Sequence, residues 1–249
     1  MQSITTSSYS VHFNDLAYKA LNLHLEKSGY STLFILVDEN TFDHCLPNFM
    51  AQIEGDYHFE VIEIEPGEAH KNIETCTQVW KALSELDADR KSVLINLGGG
   101  VITDLGGFVA STFKRGIDFI NVPTTLLSMV DASVGGKTGV DLGPLKNQIG
   151  VINQPVMVLI VTDFLKTLEE RQLQSGFAEM LKHGLIRDKE YWYALKNVTE
   201  FHTLDNLIYH SVIIKNQVVL QDPTEKNLRK SLNFGHTLGH AIESYFLAS

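Results

Sequence analysis

VLINLGGGVITDLGGFVAS, residues 93–111, decides how this chain folds. Val93 to Leu97 is an apolar run of β type, Gly98-Gly99-Gly100 makes a tight turn, and TDLGGFVAS (103–111) reads as a helix. Strand, glycine turn and helix form the opening of a βα unit, whose repetition yields a mainly parallel sheet with helices on its faces. Glycines in such a turn let main-chain N–H groups approach a phosphate, and the helix N-terminus adds a favourable dipole. The spacing is not that of a GxGxxG fingerprint, so the loop alone reads equally well as a turn without a ligand.

Working outward, Leu33 to Val37 (LFILV) and Phe59 to Ile64 (FEVIEI) are further strands rich in β-branched residues. Between 59–64 and 93–97, Ile73, Cys76, Val79, Trp80, Leu83 and Leu86 recur at helical spacing. Phe119 to Val122 and Val156 to Val161 complete the buried strands. Past Thr162 the pattern changes: 163–185, 189–201, 203–222 and 232–248 carry helical periodicity. The expected architecture is an α/β domain over residues 1–162 and an all-helical domain over 163–249, with a ligand cleft between them. The last residues, IESYFLAS, run on as an apolar helix with no terminating Gly or Pro, so the C-terminal part of the helical domain is expected to be missing.

The chain has 249 residues, 44% hydrophobic and 20% charged, the mixture of a globular protein. Thirty acidic side chains against 20 basic ones give a formal net charge of −10, which argues against a nucleic-acid partner. A small anionic substrate is still allowed, because a few cations in one cleft outweigh a distant acidic surface. Cys45 and Cys76 have no CxxC spacing and fit a reducing cytoplasm. The opening MQSITTSSYSVHFND lacks the basic and apolar regions of a signal peptide, and no apolar run approaches the roughly 20 residues that span a bilayer. A soluble protein without a membrane partner is expected.

VGGKTG (134–139) contains the Gly136-Lys137-Thr138 run of a triphosphate-binding loop. That pattern needs another Gly five positions before Gly136, where Asp131 stands, so what remains is a flexible loop offering Lys137 to an anion. In the helical part, Glu179 lies in SGFAEMLKHG (175–184), and His236 and His240 are four residues apart in NFGHTLGHAIE (233–243). The two histidines share a helical face, and carboxylate with imidazole suits zinc or a similar divalent ion, although such a pair also serves packing alone. Glu243 reads as an orienting partner for an imidazole or as a solvated charge, and His183 is a further candidate ligand. Arg115, Lys137, Lys146, Lys182, Lys215 and Arg229 fall beside Gly, Asn or His. Singly each reads as a surface charge; converged, they would receive a phosphate and a carboxylate.

Taken together, PGEAHK (66–71), GGGVITDLGGFVASTFKRGI (98–117), VPTTLLSMVDASVGGKTG (122–139), LKNQIG (145–150), SGFAEMLKHG (175–184) and LRKSLNFGHTLGHAIE (228–243) resemble the 3-dehydroquinate synthase family, among the sugar-phosphate cyclases. The resemblance covers nearly the whole chain in family order. It implies an N-terminal NAD-binding α/β domain and a helical domain holding one divalent metal, zinc or cobalt. By resemblance, Asp38, Asn40, Pro66, Gly67, Glu68, Ala69, His70 and Lys71 face the cofactor. So do Gly99, Gly100, Val101, Ile102, Thr103, Asp104, Thr124, Thr125, Lys137, Lys146, Phe164, Leu165, Lys166, Thr167 and Leu168. Glu179 and His236 match metal ligands, while Arg115, Asp131, Lys137, Asn147, Lys182, Lys215, Arg229, Asn233 and His240 match substrate and catalytic positions. His183 drops out as a ligand on this reading, and His240 becomes a substrate contact.

The implied reaction turns 3-deoxy-D-arabino-heptulosonate 7-phosphate into 3-dehydroquinate and phosphate, a step of the shikimate pathway to aromatic amino acids. A secondary alcohol is oxidised transiently, phosphate is eliminated, the ketone is re-reduced and an intramolecular aldol closes the ring, with no net redox change. A homodimer is implied as well. Two departures stand out: the third metal ligand, a His in an HGE-type motif, and a late Lys both lie beyond Ser249 in the family, and Gln172 replaces a Glu of some members. The competing expectations are another sugar-phosphate cyclase, an NAD- and metal-dependent alcohol dehydrogenase, and an inactive NAD-binding fragment.

Overall fold

The computed structural model describes residues 1–198 and 204–247, apart from the side chains of His240, Glu243, Ser244 and Leu247. The chain begins with β1 (Ile4–Thr5) and β2 (Ser10–Phe13), then α1 (Asp15–Ser28), β3 (Leu33–Asp38), α2 (Glu39–His44), α3 (Leu46–Met50) and β4 (Phe59–Ile64). It continues through α4 (Ile73–Glu85), β5 (Val93–Gly98), α5 (Gly100–Thr112), β6 (Asp118–Pro123), β7 (Lys137–Leu142), β8 (Leu145–Ile152) and β9 (Met157–Ile160). Among the described residues after β9 the regular elements are helices: α6 (Glu170–Arg187), α7 (Lys189–Lys196), α8 (Asp205–Gln221) and α9 (His236–Leu247). None of these helices is long and apolar enough to cross a membrane among the described residues.

Seven strands form one sheet in the order β1-β2-β9-β6-β5-β3-β4, parallel throughout except for the β1–β2 pair. Because side chains alternate across a strand, the central strands feed two cores. Leu33, Ile35, Val37, Val93, Ile95, Leu97, Ile120 and Val122 face one side, with Leu21 and Leu25 of α1 and Met180, Tyr191, Ile208 and Val212 of α6, α7 and α8. Phe34, Leu36, Leu94 and Phe119 face the other, against Cys76, Val79 and Leu83 of α4 and Ile102, Leu105 and Phe108 of α5. Burial on both faces is why these strands read as unbroken apolar runs. The first core is continuous from the sheet into the later helices, so both parts of the chain rest on one apolar mass.

From β3 the chain moves outward to β4 and then returns to lay β5 on the other side of β3. This reversal is the switch point at which open α/β sheets bind ligands, outside the carboxyl ends of the strands. The carboxyl end of β5 is Gly98, where the glycine turn begins.

Three features were not foreseen. The short, alternating SVHF of β2 joins the sheet beside β9, in register from Ser10↔Met157 to Phe13↔Ile160. The glycine- and lysine-rich 137–152 segment forms an antiparallel hairpin, β7–β8, turning at Gly143 (φ +55°). The helix expected from 163 starts at Glu170; residues 162–167 make a 3₁₀ turn that buries the adjacent Phe164 and Leu165. On α9, Leu238, Ile242, Tyr245 and Phe246 are exposed.

Candidate active site

The glycine turn sets one wall. Gly99 caps α5 in extended conformation and its carbonyl accepts from Thr103 N (3.0 Å), while Thr124 N donates to Gly98 O (3.0 Å). A Cβ on Gly99 would stand 2.9 Å from Thr125 Cγ2, so a side chain there forces the turn apart. Gly100 has no such neighbour closer than 3.5 Å. Thr124 and Thr103 are buried, and Val101, Ile102 and Thr103 run along the first turn of α5. Asp104, one turn into that helix, faces a cavity of about 680 Å³.

Four cations line this cavity: Lys137, Lys146, Lys215 and Arg229. Asp104, Asp131, Asn147, Glu225, Asn233 and His236 line it too. Each cation already has protein partners that fix its place. Lys215, 5% exposed on α8, donates to Asp131 O (2.5 Å) and pairs with its carboxylate. Arg229, 2% exposed, donates to Gly135 O (3.0 Å) and Pro223 O (2.9 Å), and burial lowers its pKa. Lys137 opens β7 and pairs with Glu225, which also accepts from Asn233. Burial, with Arg229 and Lys215 nearby, brings the Lys137 ammonium down to about 8, although its side chain is 47% exposed. That partial exposure makes the direction firmer than the size of the shift. A strand, not a helix, follows VGGKTG, which removes the triphosphate-loop geometry.

A second set of contacts ties the 66–72 segment to the hairpin. Buried Lys71 donates to Asp104 Oδ2 (2.6 Å) and Asn147 Oδ1 (2.8 Å). Lys146 donates to Glu68 Oε1 (2.9 Å) and lies 3.2 Å from Asp141 Oδ2. Burial pushes Asp104 upward against the pull of Lys71; Lys71 is itself raised, its desolvation outweighed by Asp104, Glu68 and Asp141. Glu68, Ala69 and His70 form a 3₁₀ turn after Pro66 and Gly67, whose φ of +103° suits only glycine without strain. These buried pairs set where Asn147 and Asp104 stand.

Deeper in the site, Asp131, Glu179 and His183 bring one ligand atom each within 4.8 Å of one another. Asp131 sits in a π turn, Ser128–Ala132, while Glu179 and His183 are buried on α6. Gly176 brings α6 there: a Cβ on it would meet Leu126 Cβ and Leu127 N at 2.5 Å. Lys182 Nζ lies 2.5 Å from Glu179 Oε1 and donates to Leu232 O. His183 Nδ1 shares a proton with Ser211 Oγ on α8 (2.7 Å), and its Nε2 is 3.2 Å from Glu179 Oε1. Both Nε2 and Oε1 are buried without a hydrogen bond of proper geometry, although Lys182 and His183 stand at ion-pair distance. Burial alone would raise Asp131, but Lys215, Lys182 and His183 outweigh it and hold that carboxyl well below the usual range. The donor set, carboxylates and an imidazole, suits a divalent ion such as zinc or cobalt.

The remaining expected positions scatter. Asp38 ends β3 and caps α2, accepting from Thr41 N (2.8 Å), with exposed Asn40 beside it. Phe164 and Leu165 are core residues; Lys166 is exposed and pairs with Asp163, Thr167 is exposed and Leu168 half-buried. Arg115 is exposed at the far end of α5 from the glycine turn, about 20 Å along a 13-residue helix. The His240 and Glu243 side chains lie outside the described residues. Sequence reasoning missed Tyr9, whose buried hydroxyl accepts from Gly135 N (3.0 Å), Glu225 and Ser211. None of the three sits at a motif; only the Asp and Lys residues around Glu225 mark a polar loop.

Comparisons of sequence with known proteins point to one family. Residues 61–175 match the family model for the 3-dehydroquinate synthase N-terminal domain, and 176–248 match that for its C-terminal domain. A 3-dehydroquinate synthase of Parabacteroides distasonis is 46% identical over 224 residues, 88% of this chain and 63% of the relative. One from Clostridium beijerinckii is 41% identical over 245 residues, 96% of this chain and 70% of the relative. The chain thus spans about two thirds of the length of the curated relatives it matches. Among solved structures, 2-epi-5-epi-valiolone synthase from Streptomyces hygroscopicus subsp. jinggangensis 5008, with NAD+ and Zn2+ bound, superposes with a TM-score of 0.83 at 27% identity. That match covers 98% of this chain and 70% of the solved one.

Proposed function

The chain belongs to the 3-dehydroquinate synthase family, and on that premise we propose that it converts 3-deoxy-D-arabino-heptulosonate 7-phosphate into 3-dehydroquinate and phosphate, using NAD and one divalent cation. The observation that carries the proposal is the cavity itself: Lys137, Lys146, Lys215 and Arg229 converge in a chain of net charge −10, next to the glycine turn of α5. Such convergence suits a substrate bearing both phosphate and carboxylate. A simple alcohol would not need it.

The residues fit both cofactors. Gly99 and Gly100 leave the main chain at the start of α5 open to a pyrophosphate, at the switch point between β3 and β5. The buried Glu179 carboxylate, with the Asp131 carboxylate close by, offers oxygen ligands of the kind a divalent cation takes. Glu179 is proposed as a ligand, with His236 on the cavity wall as a second. When bound, the cation supplies Lewis acidity and the nicotinamide accepts and returns a hydride. Zinc is the favoured identity, after the bound ion of the valiolone synthase.

The chain's own groups do the rest. Lys137 and Lys215 attract the substrate's anionic ends, while Arg229 props open the Gly135 loop that carries Lys137. Lys146, Asn147 and Asp104, clamped by Glu68 and Lys71, shape the side toward the cofactor. Asp131, kept ionised, can accept a hydrogen bond from a substrate hydroxyl and so orient it. Holding one substrate in a reactive pose contributes up to ~7–11 kcal/mol in favourable cases. The proposal extends to Lys182 and Asn233 as substrate contacts, to a joint between the two parts near Thr162, and to a homodimer; Arg115, exposed at the far end of α5, is not brought to the cavity. Two free, buried cysteines suit a cytoplasmic setting.

Incubation of the protein with the heptulosonate phosphate, NAD and zinc or cobalt tests this directly. One phosphate released per substrate, with no net NADH, is the expected result. Net NADH accumulation would indicate a dehydrogenase instead. NAD binding without phosphate release would mean a catalytically inactive form.

A further inference from the structure

Glu179 and His183 are i and i+4 on α6, so their side chains meet on one helical face. Both are at least nine-tenths buried (7% and 0% exposed), as is Ser211 on α8 (0%), whose hydroxyl is 2.7 Å from His183 Nδ1. The other ring nitrogen, Nε2, is 3.2 Å from Glu179 Oε1 and has no other hydrogen-bond partner, while Oε1 also meets Lys182 Nζ at 2.5 Å. A bare imidazole lone pair does not stay facing a carboxylate oxygen in a buried site. Either a proton or a cation belongs between them.

The surrounding charges choose between these. Lys182 Nζ lies against Glu179, and Lys215 Nζ against Asp131, so two ammonium groups already occupy the carboxylates nearest the imidazole. Lys182 Nζ stands on Oε1 itself, so a divalent ion sharing that oxygen with His183 would lie against the ammonium and be repelled. A proton needs no such space. When Ser211 donates its hydroxyl hydrogen to Nδ1, the neutral ring carries its own hydrogen on Nε2, the nitrogen 3.2 Å from Oε1 (either tautomer is open to a neutral histidine). We propose that His183, with its tautomer set by Ser211, is a positioning residue that holds one oxygen of Glu179 and so presents the other to the catalytic cation. This rests on the reading of Glu179 as a cation ligand given above. Ligating carboxylates are commonly fixed by such hydrogen bonds, and losing one weakens metal binding about 10–100-fold.

The test is a cobalt(II) titration of the intact protein, followed by its visible absorption bands, with zinc affinity from competition against a chelating dye. Wild type is compared with His183→Leu, His183→Gln and Ser211→Ala. His183→Leu is expected to lose about 10–100-fold in affinity with the band positions unchanged. His183→Gln places an amide N–H near the position of Nε2 and recovers most of that loss. Ser211→Ala falls between them, and decides the matter if the leucine variant does not fold. Wild-type affinity in both His183→Leu and Ser211→Ala overturns the inference. Band positions that move in both His183 variants also overturn it, because the imidazole is then a ligand itself. A wild-type protein that binds no cobalt sinks the cation reading and this inference together, an outcome separate from the other two.

Discussion

The glycine turn after β5 and the cavity beside it are neighbours made by different means. At the turn, the working groups are main-chain N–H groups, and the side chains are absent by design of the sequence: Gly98, Gly99 and Gly100. In the cavity, the working groups are long charged side chains drawn from β7, β8, α8 and the 222–233 segment, each locked to a carboxylate or a carbonyl. The first tolerates no added bulk; the second tolerates no lost charge. Substitutions should therefore fail by steric crowding in one region and by electrostatic imbalance in the other.

The largest effect is expected where a buried pair is broken. Lys215→Met leaves Asp131 without its main cation in the buried site, which costs about 3–5 kcal/mol for such pairs. The 28% exposure of the Asp131 side chain puts the expectation at the lower end. A fall in melting temperature on the order of 10 °C should follow. Asp131→Asn in the same chain should restore much of it, since the unpaired charge is gone. If the double variant is no more stable than Lys215→Met, packing rather than charge holds this region.

Next comes the turn. Gly99→Val has to displace Thr125, a crowding that costs about 1–3 kcal/mol, so NAD affinity should fall roughly 5–150-fold. Gly100→Ala, whose Cβ would meet only Ala132 at 3.5 Å, should stay within about twofold of wild type. Isothermal titration with NAD reads both. Equal losses at the two positions would mean that the turn is not shaped as described.

How much of this was legible follows the same divide. The turn could be read because strand, glycines and helix are contiguous, and the apolar runs of β3, β5 and β6 mark a sheet buried on both faces. The cavity could not be read residue by residue. Lys71 and Asn147 are 76 positions apart, and Lys215 and Asp131 are 84 apart, so nothing local announces that they touch. Lys215 stood among the cations that fall beside Gly, Asn or His, but only the resemblance assigned it, with Lys71, to one site. Tyr9, Glu225 and Ser211 stayed hidden because each works through a contact with a residue distant in sequence, which no local motif marks. The β7–β8 hairpin was missed for a related reason: β8 is mostly exposed, so its sequence lacks the alternation that marks a half-buried strand.

A smaller effect tests the charge of the cavity by pH. Lys137, brought down to about 8 by burial and by Arg229 and Lys215, is a cation below that pH and neutral above it. Attraction for an anionic substrate is then present on the acid side and lost as pH rises through about 8, so KM should climb by up to about tenfold per pH unit beyond it. Bound phosphate would itself favour the charged form and move the limb upward. Lys137→Arg, charged throughout, should flatten the alkaline limb. A limb unchanged in that variant would assign the titration to another group.

The smallest effect lies at the edge of the turn, where Asp38 has two candidate duties. It caps α2 through Oδ1 to Thr41 N (2.8 Å) and its N–H donates to Thr41 Oγ1 (2.9 Å), while its place at the carboxyl end of β3 makes it a candidate cofactor contact. Asp38→Ala removes both and should cost about 1 kcal/mol of stability. Asp38→Asn keeps a capping oxygen, since asparagine caps as well as aspartate, and should leave stability within about 0.5 kcal/mol of wild type. The pair of variants therefore separates structure from binding: NAD affinity that falls in Asp38→Asn while the melting temperature holds means that the carboxylate meets the cofactor. If affinity in Asp38→Asn is unchanged and falls in Asp38→Ala only as stability does, Asp38 is a cap and nothing more. The cofactor is then held on this side by main chain alone, which is the sharper form of the contrast with the side-chain-built cavity.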